Sequence, residues 1–152
     1  MLFRSVSQSR YFPHFYYFIS ALNYEGITAS DDGNFYLLSE PGYKIVKVGE
    51  DEQGVVTESF LKEGRAVGFF KGKARGPEGM IVYNKGKKVL LVSQSDSGKM
   101  MDADIVNNKL VNIKTVKIVS KELEEVKGKE KWISDLYMYK DKIYALIKSK
   151  MR

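Results

Sequence analysis

Candidate chemistry in this sequence rests on carboxylates, because the usual metal-binding and nucleophilic side chains are scarce. The chain has no cysteine and a single histidine, His14. This composition excludes thiolate metal sites, cysteine nucleophiles and disulfides, and it disfavours a Ser-His-Asp set. Glu25 and Glu78, in contrast, stand in matching Glu-Gly pairs, each followed by an apolar segment. Carboxylates that converge on one point are the ligands that calcium favours.

Two interpretations of Glu25 and Glu78 follow from their repetition. One is that both side chains bind a divalent cation, with calcium as the predicted metal, or a cationic group of a ligand. The other is that each carboxylate accepts hydrogen bonds from backbone amides at the start of a strand. A residue that recurs between repeats is more often architectural than catalytic, so the sequence favours the second interpretation while leaving both open.

Arg75 and Glu40 are the two further ligand-binding candidates. Arg75 comes just before Gly76-Pro77-Glu78, and its guanidinium is suited to bidentate binding of a phosphate or carboxylate. The alternative for Arg75 is a surface ion pair of small energetic value. Glu40 follows Ser39 at the end of a predicted strand, where Pro41-Gly42 indicates a turn, so a turn role is the alternative for Glu40.

These candidates belong to a segment that occurs three times. The three copies are 24–40, 77–94 and 133–147. Each copy reads as a short apolar strand, a tight turn rich in Asp, Asn or Gly, and a second strand of β-branched and aromatic residues, which is typical of a β-hairpin. Glu78 follows Glu25 by 53 residues, and Ser134, which takes the Glu position in the third copy, follows 56 residues later.

Two more strands fit between consecutive hairpins. The sequence predicts them at 43–48 and 54–60 after the first hairpin, and at 104–106 and 109–116 after the second. Four antiparallel strands per repeat of this length predict an all-β fold of β-propeller blades.

The predicted units have boundaries that leave the last one short. Residues 1–21 are predicted to be an N-terminal arm or a remnant of a preceding blade, 22–74 and 75–130 two blades, and 131–152 an incomplete third blade. A row of blades that does not close into a ring leaves sheet faces and strand edges uncovered at both ends. We therefore expect either a longer protein or association of two copies through open blade edges.

Charge gives a weaker indication of partners. The net charge is +6, and residues 109–152 carry the whole excess, with 12 basic and 6 acidic side chains. The two signs alternate there, as on a solvated face, so the sequence gives no specific signal for nucleic acid. It also contains no apolar stretch long enough for a transmembrane span.

The repeated strings resemble a known group of propellers. Glu25-Gly26-Ile27 with Phe35–Glu40, Glu78-Gly79-Met80 with Val89–Gln94, and Ser134-Asp135-Leu136 are similar to the blade motif of the SdiA-regulated and esterase-like phytase family. The resemblance covers about residues 22–147. It implies a ring of about six blades, a periplasmic or extracellular location, and hydrolysis of phosphoesters or esters. The chain lacks a convincing signal peptide, since its apolar N-terminal run is short and broken by Pro13 and His14.

The sequence therefore leaves two hypotheses about function open. The first is a propeller for a small-molecule or phosphorylated ligand, acting either as a metal-assisted hydrolase or as a ligand-binding protein without turnover. The second is a non-enzymatic scaffold whose rim binds a protein or an anionic polymer.

Overall fold

Antiparallel β-structure makes up most of the part of the chain that the structure, a computed structural model, describes. The described residues are 24–40, 42–48, 53–55, 57–70, 76–93, 99–117 and 131–149. The strands, in chain order, are β1 (Tyr24–Ala29), β2 (Phe35–Ser39), β3 (Lys44–Val48), β4 (Gln53–Val55), β5 (Pro77–Tyr83), β6 (Lys88–Ser93), β7 (Lys99–Val106), β8 (Lys109–Lys117), β9 (Lys131–Tyr139) and β10 (Lys142–Ser149). One short helix, α1 (Leu61–Ala66), lies between β4 and β5.

The strands form two four-stranded sheets and one hairpin. Strand order is β1-β2-β3-β4 in the first sheet and β5-β6-β7-β8 in the second, while β9 pairs with β10 in the third hairpin. Every strand pairs antiparallel with its sequence neighbour, so each sheet is a meander. The prediction of an all-β fold with four-stranded antiparallel sheets is confirmed. The first sheet lies within 22–74, the second within 75–130 and the third hairpin within 131–152, whereas the predicted arm at 1–21 lies outside the described residues.

Tight turns set the register of these hairpins. Asn107 and Asn108 join β7 to β8 with φ of 49° and 61°, and Lys140 and Asp141 join β9 to β10 with φ of 45° and 60°. Two successive residues with positive φ define a type I′ turn, whose twist matches that of the flanking strands. Asparagine tolerates this conformation well, whereas lysine does so at a cost.

A β-bulge recurs at the same point of each hairpin. Pairing skips one residue of the first strand in every case, and the skipped residues are Glu25, Glu78 and Ser134. We call these three the bulge residues. Because the bulge aligns the three hairpins residue by residue, it defines which positions of the repeats are equivalent.

The first strands of the three units lie side by side. β1 contacts β5, and β5 contacts β9. The approach is close at the residue after each bulge: a Cβ atom added to Gly26 would lie 3.6 Å from the carbonyl oxygen of Glu78, and one added to Gly79 would lie 2.7 Å from Cα of Asp135. Gly79 thus makes room for the next unit, whereas the distance at Gly26 is ordinary van der Waals contact.

Apolar side chains fill the space between consecutive units. One cluster joins Tyr36, Leu38 and Ile45 of the first sheet to one face of the second sheet. A second cluster joins the other face of the second sheet to Ile133 and Leu136 of β9. Alternation of side chains along each strand supplies both faces of the second sheet with apolar residues, which explains why β5 and β6 are buried along almost their whole length.

The segment after β4 differs from the sequence-based prediction of a strand at 54–60. β4 ends at Val55, and the Thr57 hydroxyl then accepts a hydrogen bond from the Ile45 amide at 3.0 Å. α1 follows, and its buried Gly64 lies directly against the Phe70 ring, with no space for a Cβ. Tyr43, Phe60 and Phe70 pack edge-to-face or stacked with centroids 5.1–6.3 Å apart. Backbone hydrogen bonds from the Thr57 amide to the Ile45 carbonyl and from the Phe60 amide to the Tyr43 carbonyl keep 57–60 beside β3, although the regular strand ends at Val55.

Candidate functional site

The bulge residues place the predicted carboxylates at one end of the first strands. Glu25 is exposed, Glu78 is half-buried and Ser134 is buried. Close contact of Gly26 with the Glu78–Gly79 backbone brings the Glu25 and Glu78 segments onto neighbouring strands. Ser134 is differently engaged, because its hydroxyl donates a hydrogen bond to the Leu146 carbonyl at 3.3 Å.

A third carboxylate lies beside these two, within the Ser134-Asp135-Leu136 string, and it was not among the predicted site residues. Asp135 occupies the position of Gly26 and Gly79, and its carboxylate accepts a hydrogen bond from the Leu136 amide at 2.8 Å. Desolvation raises the pKa of the Asp135 carboxyl, against the opposing effects of that hydrogen bond and of Lys148. Glu25 and Glu78 lie at equivalent positions of β1 and β5, and Asp135 lies one residue beyond that position of β9; we call the three the acidic row.

The row does not form a closed metal centre by itself. Among the described residues, no three Asp, Glu or His side chains gather as a ligand set for one ion. Calcium takes six to eight oxygen ligands. Glu25 and Glu78 therefore supply at most part of a calcium site, and the calcium prediction stays a prediction.

Glu40 connects the first sheet to the start of the second. Its Oε1 accepts a hydrogen bond from the Gly76 amide at 3.0 Å, and its side chain fills the space that a Cβ on Gly76 would need. Gly76 is buried and precedes β5 by one residue. Glu40 was predicted to bind ligand, and the structure gives its carboxylate this contact between units. Arg75, the other predicted ligand-binding residue, lies outside the described residues.

A groove lies at the opposite end, where the hairpins turn. It has a volume of about 540 Å³ and is lined by parts of all three hairpins, including Asp31, Tyr83, Lys88, Lys140 and Asp141. Acidic and basic side chains are both present, so the groove has no single sign of charge. Sequence reasoning misses it because each turn alone is ordinary; the groove exists only when three hairpins stack.

Hydrogen bonds hold the turns that border this groove. Asp31 Oδ1 accepts from the Lys85 amide at 2.7 Å, which ties the first turn to the second. Tyr36 donates its hydroxyl to Asp32 Oδ2 at 2.7 Å, and burial together with this carboxylate raises the pKa of Tyr36 well above its usual value. Tyr83 donates to Asp102 Oδ1 at 2.7 Å, and burial with the same kind of bond raises the pKa of Tyr83 to about 12.

Comparison with known proteins gives no assignment: the chain matches no family model, no curated protein and no solved structure. In the described residues, no helix is long and apolar enough to cross a membrane.

Proposed function

We propose that the chain forms consecutive blades of a β-propeller and acts as a ligand-binding module. Three features support the arrangement: meander sheets of four strands, first strands lying side by side, and apolar clusters between neighbouring sheets. On this proposal β1, β5 and β9 border the axis of a ring, of about six blades as the resemblance implies.

The observation that carries the binding proposal is the repeated bulge. It sets Glu25 and Glu78 at equivalent points of adjacent first strands, and Asp135 stands one residue beyond the third bulge. Carboxylates on strands that line the axis would create a negative potential near the mouth of a ring, although the net charge of the protein is +6. We infer that this end binds a calcium ion or the cationic group of a small-molecule ligand.

Metal-assisted hydrolysis of a phosphoester or ester is the reaction that the resemblance adds to this proposal. Bound calcium would polarise the oxygen of such a group. Glu25 and Glu78 would hold the ion, and Arg75 would meet the phosphate.

The test is thermal unfolding with and without calcium. We expect calcium at about 100 times its dissociation constant to stabilise the protein by about 2.7 kcal/mol, because the ion binds only the folded state. The double variant Glu25→Gln/Glu78→Gln should lose this gain. The matched control is Glu58→Gln, which changes an exposed carboxylate 3.8 Å from Lys109 Nζ, away from the row.

Two results would overturn the proposal. One is a calcium response that is equal in the wild type and the double variant. The other is no response to calcium or to a small cationic ligand such as an alkylammonium ion. Release of product from a chromogenic phosphoester or ester, lost in the same double variant, would extend the proposal from binding to turnover.

A further inference from the structure

One face of the third hairpin exposes a row of apolar and aromatic side chains. We call Tyr137, Tyr139, Tyr144 and Leu146 the hairpin face, and their exposed fractions are 63%, 50%, 52% and 58%. Tyr137 pairs with Tyr144 across the hairpin, with ring centroids 6.5 Å apart. Large apolar side chains clustered at this exposure are typical of an interaction surface.

In the other two units, the face equivalent to the hairpin face is covered by the next unit. The bulge alignment makes Tyr144 and Leu146 equivalent to Leu90 and Val92 of the second sheet. Those two residues are only 6% and 1% exposed, because β9 of the next unit covers them.

The first sheet behaves in the same way. The equivalents of Tyr144 and Leu146 there are Tyr36 and Leu38, which are 2% and 0% exposed under the second sheet. This side of a unit is therefore covered by the following unit at two junctions of the chain.

The covering side of a unit is also defined by the repeat. Met80 and Val89 of the second sheet cover the first sheet and are 1% and 0% exposed. Their equivalents in the first sheet are Ile27 and Phe35, which are 41% and 48% exposed. The third hairpin thus exposes the face that a following unit would cover, and the first sheet partly exposes the face that would cover a preceding unit.

We propose that two copies of this chain associate head to tail, the hairpin face of each packing on Ile27 and Phe35 of the other. The contact would continue the pattern of the two junctions already present within the chain. It is heterologous, and a twofold arrangement closes it into one ring of two chains. The inference rests on the observed stacking of units and not on cation binding, so the two proposals fail separately.

Asp135 makes this junction looser than the internal ones. Gly79 lets the next first strand approach closely and Gly26 adds no side chain at its junction, whereas Asp135 puts a carboxylate at the equivalent position. In the proposed assembly, the carboxylate of Asp135 would lie beside the Glu25–Gly26 segment of the second copy. Replacing Asp135 by glycine should therefore tighten the association by threefold or more, since it removes both bulk and like charge.

The first measurement is molar mass by light scattering and sedimentation over a range of concentrations. We expect a mass of twice the 17.4 kDa chain at high concentration. The variant Tyr144→Lys/Leu146→Lys should raise the dissociation constant at least tenfold, because two charged side chains would replace apolar ones in the buried contact. Val106→Lys is the matched control, since Val106 is 47% exposed but lies in the second sheet, away from the hairpin face.

The second measurement fixes the orientation and does not depend on the lysine variants folding. The chain has no cysteine, so Tyr137→Cys and Ile27→Cys each introduce one thiol. A short bis-maleimide should link the two variants when they are mixed, and it should link neither variant to itself.

Three outcomes would overturn the proposal. The first is a monomer at every concentration, which would mean that another partner or a further repeat covers the hairpin face. The second is self-linking of Tyr137→Cys alone, which would show a face-to-face dimer. The third is weaker association of Asp135→Gly than of the wild type.

Discussion

Glu40 and Gly76 form a hydrogen bond between two sheets, with 3.0 Å separating the Glu40 Oε1 and the Gly76 nitrogen. The amide is buried, so it would lack an acceptor if the carboxylate were removed. We expect Glu40→Ala to lower the free energy of unfolding by about 1–3 kcal/mol. Urea unfolding measures the loss.

Glu40→Gln is the control for this prediction, because its side-chain carbonyl can still accept from Gly76. We expect it to cost less than about 1 kcal/mol. Equal stability of Glu40→Ala and the wild type would show that the contact contributes nothing to holding the two sheets together.

The two Glu-Gly pairs give a matched test of close approach. A Cβ on Gly79 would lie 2.7 Å from the backbone of Asp135, whereas one on Gly26 would meet its nearest atoms at 3.6–3.7 Å. We expect Gly79→Ala to destabilise the protein by about 1–3 kcal/mol, because strand β9 must shift.

Gly26→Ala should be neutral or stabilising by about 0.4–1 kcal/mol, since alanine restricts the unfolded chain. Thermal unfolding of the two variants side by side checks the difference. If both variants lost equal stability, the spacing between units would not be the cause.

Local patterns in the sequence predict the hairpins well. Alternating β-branched residues and turn residues place β3 and β8 within a residue of their observed limits, although β7 begins at Lys99, before the predicted strand at 104–106. The spacing of the repeats identifies the bulge residues as equivalent. The strand limits depend on residues within one hairpin, and the equivalence depends only on comparing the repeats, so a single sequence is enough to predict both.

Features that depend on contacts between units are not predictable in the same way. The role of Glu40 depends on Gly76, which lies 36 residues away. Helix α1 is stabilised by Phe70 against Gly64 and lacks a side-chain cap, so its sequence gives no start signal. Asp135 is not predicted as a site residue, because its neighbour Ser134 takes the position of the two glutamates.

The turn between β9 and β10 offers a stabilising change. Lys140 and Asp141 both have positive φ, which costs non-glycine residues energy in a type I′ turn. We expect Lys140→Asn/Asp141→Gly to raise the free energy of unfolding by about 0.5–1 kcal/mol. Chemical unfolding tests this.

The control for that gain is the turn at Asn107-Asn108, where the same Asn-Gly pair would be introduced. Only its second residue would change, to glycine, and asparagine already suits the turn, so the expected gain is smaller. A loss of stability in Lys140→Asn/Asp141→Gly would show that the two native side chains make contacts outweighing the backbone term.

Tyr83 should make stability depend on pH in the alkaline range. Its pKa is raised from 10.0 to about 12 by burial and by the hydrogen bond to Asp102. In the unfolded chain the phenol loses its proton near pH 10, while the folded protein keeps it. The contribution of Tyr83 is therefore fully present below pH 10 and is lost as the pH rises toward about 12.

Comparison of the wild type with Tyr83→Phe isolates this effect from the other nine tyrosines. We expect the stability difference between the two proteins to be constant from pH 7 to 9 and to shrink from pH 10 to 12, measured by urea unfolding at each pH. Tyrosinate absorbance should show one late-titrating group fewer in the variant. A stability difference that stayed constant to pH 12 would mean that Tyr83 titrates alike in the folded and unfolded states, and that the Asp102 bond does not hold the phenolic proton.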